Sequence, residues 1–129
     1  MAYYISRTVN HSFEETIELV TEALSAEGFG VLTEIDVKAT MKKKLDVDFR
    51  NYRILGACNP PFALKALEAE DKIGTMLPCN VVVQERAENE IEVAAVDPVS
   101  SMQAVDNDEL APIAIEIRSR LERVMNSLS

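Results

Sequence analysis

Tryptophan is missing from this 129-residue chain, histidine occurs once, cysteine twice and glycine four times. Four glycines leave little room for a loop that cradles phosphate, and no Ser-His-Asp order or His-rich metal motif forms around the single His11. Classical hydrolase and nucleotide-binding readings are therefore weak. Two cysteines are too few for the disulfide framework of a small secreted domain, so Cys58 and Cys79 are expected as thiols in a reducing cytosol. No stretch approaches the roughly 20 apolar residues that span a bilayer. Residues 1–8 also lack the charged start and apolar run of a signal peptide. The expected location is cytoplasmic, in a protein of bacterial type.

Basic residues are scarce as well. Thirteen lysines and arginines against 22 acidic side chains leave a net charge of -9, which repels nucleic-acid phosphates and anionic lipid headgroups. No nucleic acid and no membrane is expected as a partner. The one basic cluster, Lys42-Lys43-Lys44, is followed by Asp46 and Asp48 and reads as a solvated helix face.

What is present is enough for a core. Apolar residues make up 47% and charged residues 27%, the balance of an ordinary globular protein, and the length fits one domain over residues 1–129. Tyr3 to Thr8 is aromatic and β-branched, which predicts a strand. Ser12 and Glu15 have capping-box spacing, and Phe13, Ile17, Val20 and Leu24 recur at helical intervals, so a helix is predicted to about Glu27. Gly28 suits the left-handed residue after such a helix, and alternation from Val31 to Val37 predicts a second strand.

Further along, Lys38 to Leu45 reads as a short helix and Tyr52 to Cys58 as a strand, whose small Gly56 and Ala57 call for a close neighbour. Asn59 is placed to cap a helix, Pro60 suits its first turn, and the helix should end near Asp71. Val81-Val82-Val83 and Ile91 to Val96 flank a polar turn and predict an antiparallel hairpin. Their nearly continuous apolar character asks for central positions in a sheet or a face covered by another subunit. Leu110, Ile113, Ile117, Leu121, Val124 and Leu128 form the stripe of a last helix, with caps offered by residues 106–108. The expected fold is a single compact α+β domain. It has a mixed or antiparallel sheet of about five strands, helices packed mainly on one side, and the order β-α-β-α-β-α-β-β-α.

The segments Tyr52-Arg53-Ile54-Leu55-Gly56-Ala57-Cys58-Asn59-Pro60-Pro61-Phe62-Ala63 and Ile73-Gly74-Thr75-Met76-Leu77-Pro78-Cys79-Asn80-Val81-Val82-Val83 resemble the domain of unknown function 302 family. The likeness extends upstream to Phe29 to Val37 and downstream to Val96-Asp97-Pro98 and Met102. It implies a compact α+β domain that stands alone in bacteria, forms a homodimer and has no established activity. It transfers no catalytic residue.

Chemistry, if any, centres on two similar pairs, Cys58-Asn59 at a strand end and Cys79-Asn80 at a strand start. If those strands are antiparallel neighbours the thiols approach, and Cys58 beside a helix N-terminus gains thiolate character. The competing reading is that both are small apolar fillers. Met76 and Met102 could add soft ligands, although the spacing is no metal signature and methionines are more often core. The prolines at 60 and 61 remove two amide donors and weaken any anion site there. Asp97 before Pro98 is more simply a turn-closing residue than an acid or base.

The leading expectation is a non-catalytic homodimeric module that binds or senses an unidentified small molecule. Its site would lie near Cys58, Asn59, Cys79, Asn80, Asp97 and Met102, with no metal and no cofactor. Two alternatives are a thiol-based redox enzyme or soft-metal protein using Cys58 and Cys79, and a purely structural interaction module.

Overall fold

In a computed structural model that describes residues 2–129, five strands form one sheet. They are β1 (Tyr4–Val9), β2 (Gly30–Asp36), β3 (Tyr52–Cys58), β4 (Cys79–Ala87) and β5 (Glu90–Val96). The order is β1-β5-β4-β3-β2 and every neighbouring pair is antiparallel, so the sheet is not mixed. The hairpin strands β4 and β5 lie inside it, as their continuous apolar runs require.

Three helices connect strands, α1 (Phe13–Ala26), α2 (Val37–Leu45) and α3 (Pro60–Ala69), and two follow the last strand, α4 (Pro98–Ser101) and α5 (Leu110–Ser127). Ser12 Oγ accepts a hydrogen bond from the Glu15 amide and starts α1. Its end is equally local: Gly28 takes φ +86° and the Phe29 amide donates back to the Leu24 carbonyl at 2.9 Å, which satisfies a carbonyl the helix leaves open. Asp36 caps α2 through the Ala39 amide, and Lys42 pairs with Asp46 and Asp48 on a helix that buries no side chain.

The short helix α4 is absent from the expected order, and two helix ends are built differently from the sequence reading. Helix α3 stops at Ala69 and the chain tightens into a 3₁₀ turn over Asp71–Met76. Helix α5 starts without an aspartate cap; Asn107 instead accepts from the Glu109 amide and donates to the Ala69 carbonyl at 2.9 Å. One asparagine thus begins one helix and ties it to the end of another, a tertiary contact that local propensity does not encode.

The core occupies one face of the sheet. Phe13, Val20 and Leu24 of α1 and Ile117, Leu121 and Val124 of α5 pack on Leu55, Val81, Val83, Ile91 and Val93. Each fully buried leucine or valine there contributes roughly 1.5–3 kcal/mol. A smaller cluster of Ala66, Ile73 and Leu110 joins α3, the 3₁₀ turn and α5.

The opposite face is open. A shallow hollow of about 390 Å³ runs over Tyr52, Val82, Ala94 and Val96, rimmed by Tyr3 and Tyr4. All three tyrosines of the chain stand there. Gln84 is buried on the same face because it accepts from Arg50 Nε and donates to Glu92, both at 2.9 Å. Arg50 in turn stacks over Phe49 and Tyr52.

Candidate functional site

Strand β3 ends at Cys58 where the adjacent, antiparallel β4 begins at Cys79, so Ala57 faces Cys79 in register and Cys58 faces Gly30 of β2. Both sulfurs therefore reach the same end of the sheet. A cavity of about 300 Å³ opens at that end, between the strands, α3, the 3₁₀ turn and α5. Its wall is apolar, with Phe29, Leu32, Phe62, Leu67, Leu77 and Ile117. Cys58, Cys79 and Met102 add sulfur, and among the described residues Asn59 is its one amide side chain and no charged side chain lines it.

The six candidate residues divide. Cys58, Asn59, Cys79 and Met102 share the cavity wall. Asn80 does not, because side chains alternate along a strand, and its neighbour Cys79 takes the inner face; Asn80 is exposed on the open side. Asp97 also lies outside the wall. Its Oδ1 accepts from the Val99 and Ser100 amides and its Oδ2 accepts from Arg118 Nε at 3.1 Å, which closes the turn into α4. Met76 and His11 are likewise absent from the wall; His11 sits against Glu15 at the start of α1.

Asn59 departs from its expected role, since its side chain makes no capping bond to α3. Its amide nitrogen donates instead to the Glu27 carbonyl at 3.4 Å. Arg120 Nη1 donates to the same carbonyl at 3.0 Å, and its guanidinium lies 5.1 Å from the Phe62 ring. The C-terminal end of α1, the cavity wall and α5 are thereby pinned together. No sequence signal marks Arg120, because its partner lies 93 residues away. Phe62, Leu67 and Leu77 were legible as apolar, but only the chain path turns them toward one space.

Burial, with a smaller contribution from the nearby Cys58 sulfur because two thiolates would repel, pushes the Cys79 thiol from its usual 9.0 up to about 11. Such a thiol is a poor nucleophile at neutral pH. An unfolded chain releases this proton from about pH 9 while the folded chain keeps it to about 11, so stability present below pH 9 is lost as pH rises through that window. Urea midpoints of the wild type should fall more steeply between those two pH values than midpoints of Cys79→Ser. Parallel curves would show that the buried thiol is not linked to folding. Among the described residues, no three or more His, Cys, Asp or Glu side chains cluster closely enough to hold a metal ion.

A family model described as "Domain of unknown function DUF302" matches residues 5–128. The crystal structure of an uncharacterized conserved DUF302 protein from Bacillus stearothermophilus is similar to this chain, with 28% identity and a TM-score of 0.91 over 100% of both chains. Among curated proteins, no match was found. No helix among the described residues is long and apolar enough to cross a membrane.

Proposed function

Because the chain belongs to the family of domain of unknown function DUF302, a description that names neither activity nor ligand, we propose from its cavity that it is a non-catalytic module binding a small, uncharged, largely apolar molecule. The observation that carries this reading is an opening of about 300 Å³ whose wall holds aromatic, aliphatic and sulfur side chains and no charge. That volume is at the lower end of small-molecule sites, which begin at roughly 300 Å³. A charged ligand would lose its hydration there without gaining a partner, a cost of several kcal/mol. An apolar ligand gains about 25 cal/mol for each Å² it removes from water.

Thiol chemistry at Cys58 and Cys79 has the shared wall in its favour and the protonated state of Cys79 against it. The cytoplasm is the compartment this reading supposes, since two thiols on one cavity stay reduced there.

The test is direct. Ethylbenzene added to isotope-labelled protein should shift the amide resonances of residues 57–59, 62, 63, 77, 79 and 102, and leave the far end of the sheet unmoved. Ala63→Trp, which places an indole from α3 into the space, should abolish those shifts while keeping the folded spectrum. Wild-type resonances that stay in place up to the solubility of ethylbenzene would overturn the reading.

The module is further proposed to act as a homodimer joined through its open sheet face. Tyr52, Val82, Ala94 and Val96 offer an apolar centre, and the tyrosine-rich rim is of the kind enriched in protein interfaces. Arg50 and Glu92, both bonded to Gln84, place one charge of each sign on this face, although the chain as a whole carries -9. Two copies facing each other there avoid the repulsion that any acidic part of the surface would impose. A twofold interface uses one patch twice, so a patch that contains both signs can complement itself.

A further inference from the structure

Asn59 is only 6% exposed, lines the cavity, and has its amide nitrogen committed to the Glu27 carbonyl. That commitment orients the group, since a carbonyl accepts only from the nitrogen. Gly28 confirms the side: a Cβ built on it would lie 3.1 Å from the Asn59 nitrogen. The carboxamide oxygen therefore lies on the other side of the group from α1. Among the described residues it accepts no hydrogen bond, and it is not sealed from solvent, because no fully enclosed side-chain oxygen or nitrogen lacks a partner. An almost buried acceptor with free lone pairs on the wall of an apolar space is a group waiting for a donor.

We infer that the cavity is specific for a neutral, apolar molecule bearing one hydrogen-bond donor, such as an alkylphenol or an alcohol, whose hydroxyl donates to Asn59 Oδ1. The inference rests on the reading of the cavity as a ligand site and names the class of ligand. Its physical content is a sign. In a purely apolar cavity a hydroxyl gives up water and finds nothing, so the methyl ether of a phenol binds at least as well as the phenol. With Oδ1 as partner the order reverses, because a bond is made to a buried acceptor that the ether leaves unpaired.

The experiment compares 4-ethylphenol with 4-ethylanisole by calorimetry or by the resonance shifts above. The phenol is expected to bind about 5- to 10-fold more tightly, the effect of one hydrogen bond. Equal binding, or preference for the ether, overturns the donor inference and leaves the apolar cavity standing. Binding of neither compound removes both readings. Asn59→Leu should erase the preference while retaining 4-ethylanisole; a preference that survives in that variant also overturns the assignment to Asn59. Should Asn59→Leu fail to fold, the wild type decides through the Asn59 side-chain carbonyl carbon, whose resonance should move with the phenol and stay with the ether. Movement with neither or with both refutes the assignment.

Discussion

Replacing Gly56 with alanine is expected to lower the thermal midpoint by about 10 °C, which for a domain of this size corresponds to roughly 2–3 kcal/mol. A Cβ at that position would stand 2.1 Å from Thr33 Oγ1 and 2.7 Å from Pro78 Cγ. The threonine hydroxyl can rotate away. The proline ring cannot, being held next to Cys79 at the start of β4 beside the cavity. Gly56 thus lets β2 and the entry to β4 close from both sides on β3, which lies between them. Thr33→Ala in the same chain should recover only part of the loss, since the proline contact persists. Gly30→Ala is the matched control: it sits on the edge strand with nothing within 4 Å of its added carbon, and its midpoint should hardly move. A thermal melt of the three variants measures this, and a Gly56→Ala protein as stable as Gly30→Ala would mean that the strand end yields freely.

Placing arginine at Val82 is expected to weaken self-association by at least about 100-fold, the scale of disrupting a central hot spot in an interface. Val82 lies on β4, the middle strand of the five, on the uncovered face and in the hollow bounded by the tyrosines. In a twofold contact the new charge would meet its own copy or be buried beneath it, and either costs several kcal/mol. The monomer should tolerate the change because the side chain faces away from the core cluster. Sedimentation equilibrium across a hundredfold range of concentration, with the melt as a control for folding, separates the outcomes. A wild type that remains monomeric at high concentration, or a Val82→Arg protein that dimerises as before, would exclude the open face as the interface.

A glycine within an apolar strand already signals a close neighbour, and alternation already assigns Val82 and Val83 to opposite faces. Neither signal identifies the neighbour. Thr33 and Pro78 are distant in the chain, and strand order alone brings both to Gly56. The tyrosines behave similarly: Tyr3 and Tyr4 precede Tyr52 by more than a third of the chain and share its hollow only because β5 and β4 lie between β1 and β3 in the sheet.

The cavity was partly legible. Cys58 and Cys79 could be placed at a common sheet end on the condition that their strands pair, and they do pair, with Ala57 opposite Cys79. The asparagines following them looked equivalent in sequence. They are not, because Asn59 has left its strand for a helix start and keeps its side chain at the cavity, whereas Asn80 remains in a strand and takes the alternate face. Asp97 looked like a member of the site and is instead held by two amides and Arg118.

Local chemistry was sufficient for the elements of this protein: the hydroxyl of Ser12, the freedom of Gly28, the prolines at 60 and 98, the valine runs and the stripe of α5 act over a few residues each. The sheet order, the uncovered face, the cavity and the orientation of Asn59 belong to the tertiary structure. They depend on which distant segments become neighbours, and that is decided by burying the apolar faces of α1, α5 and the sheet together, a free energy spread over the whole core and encoded at no single position.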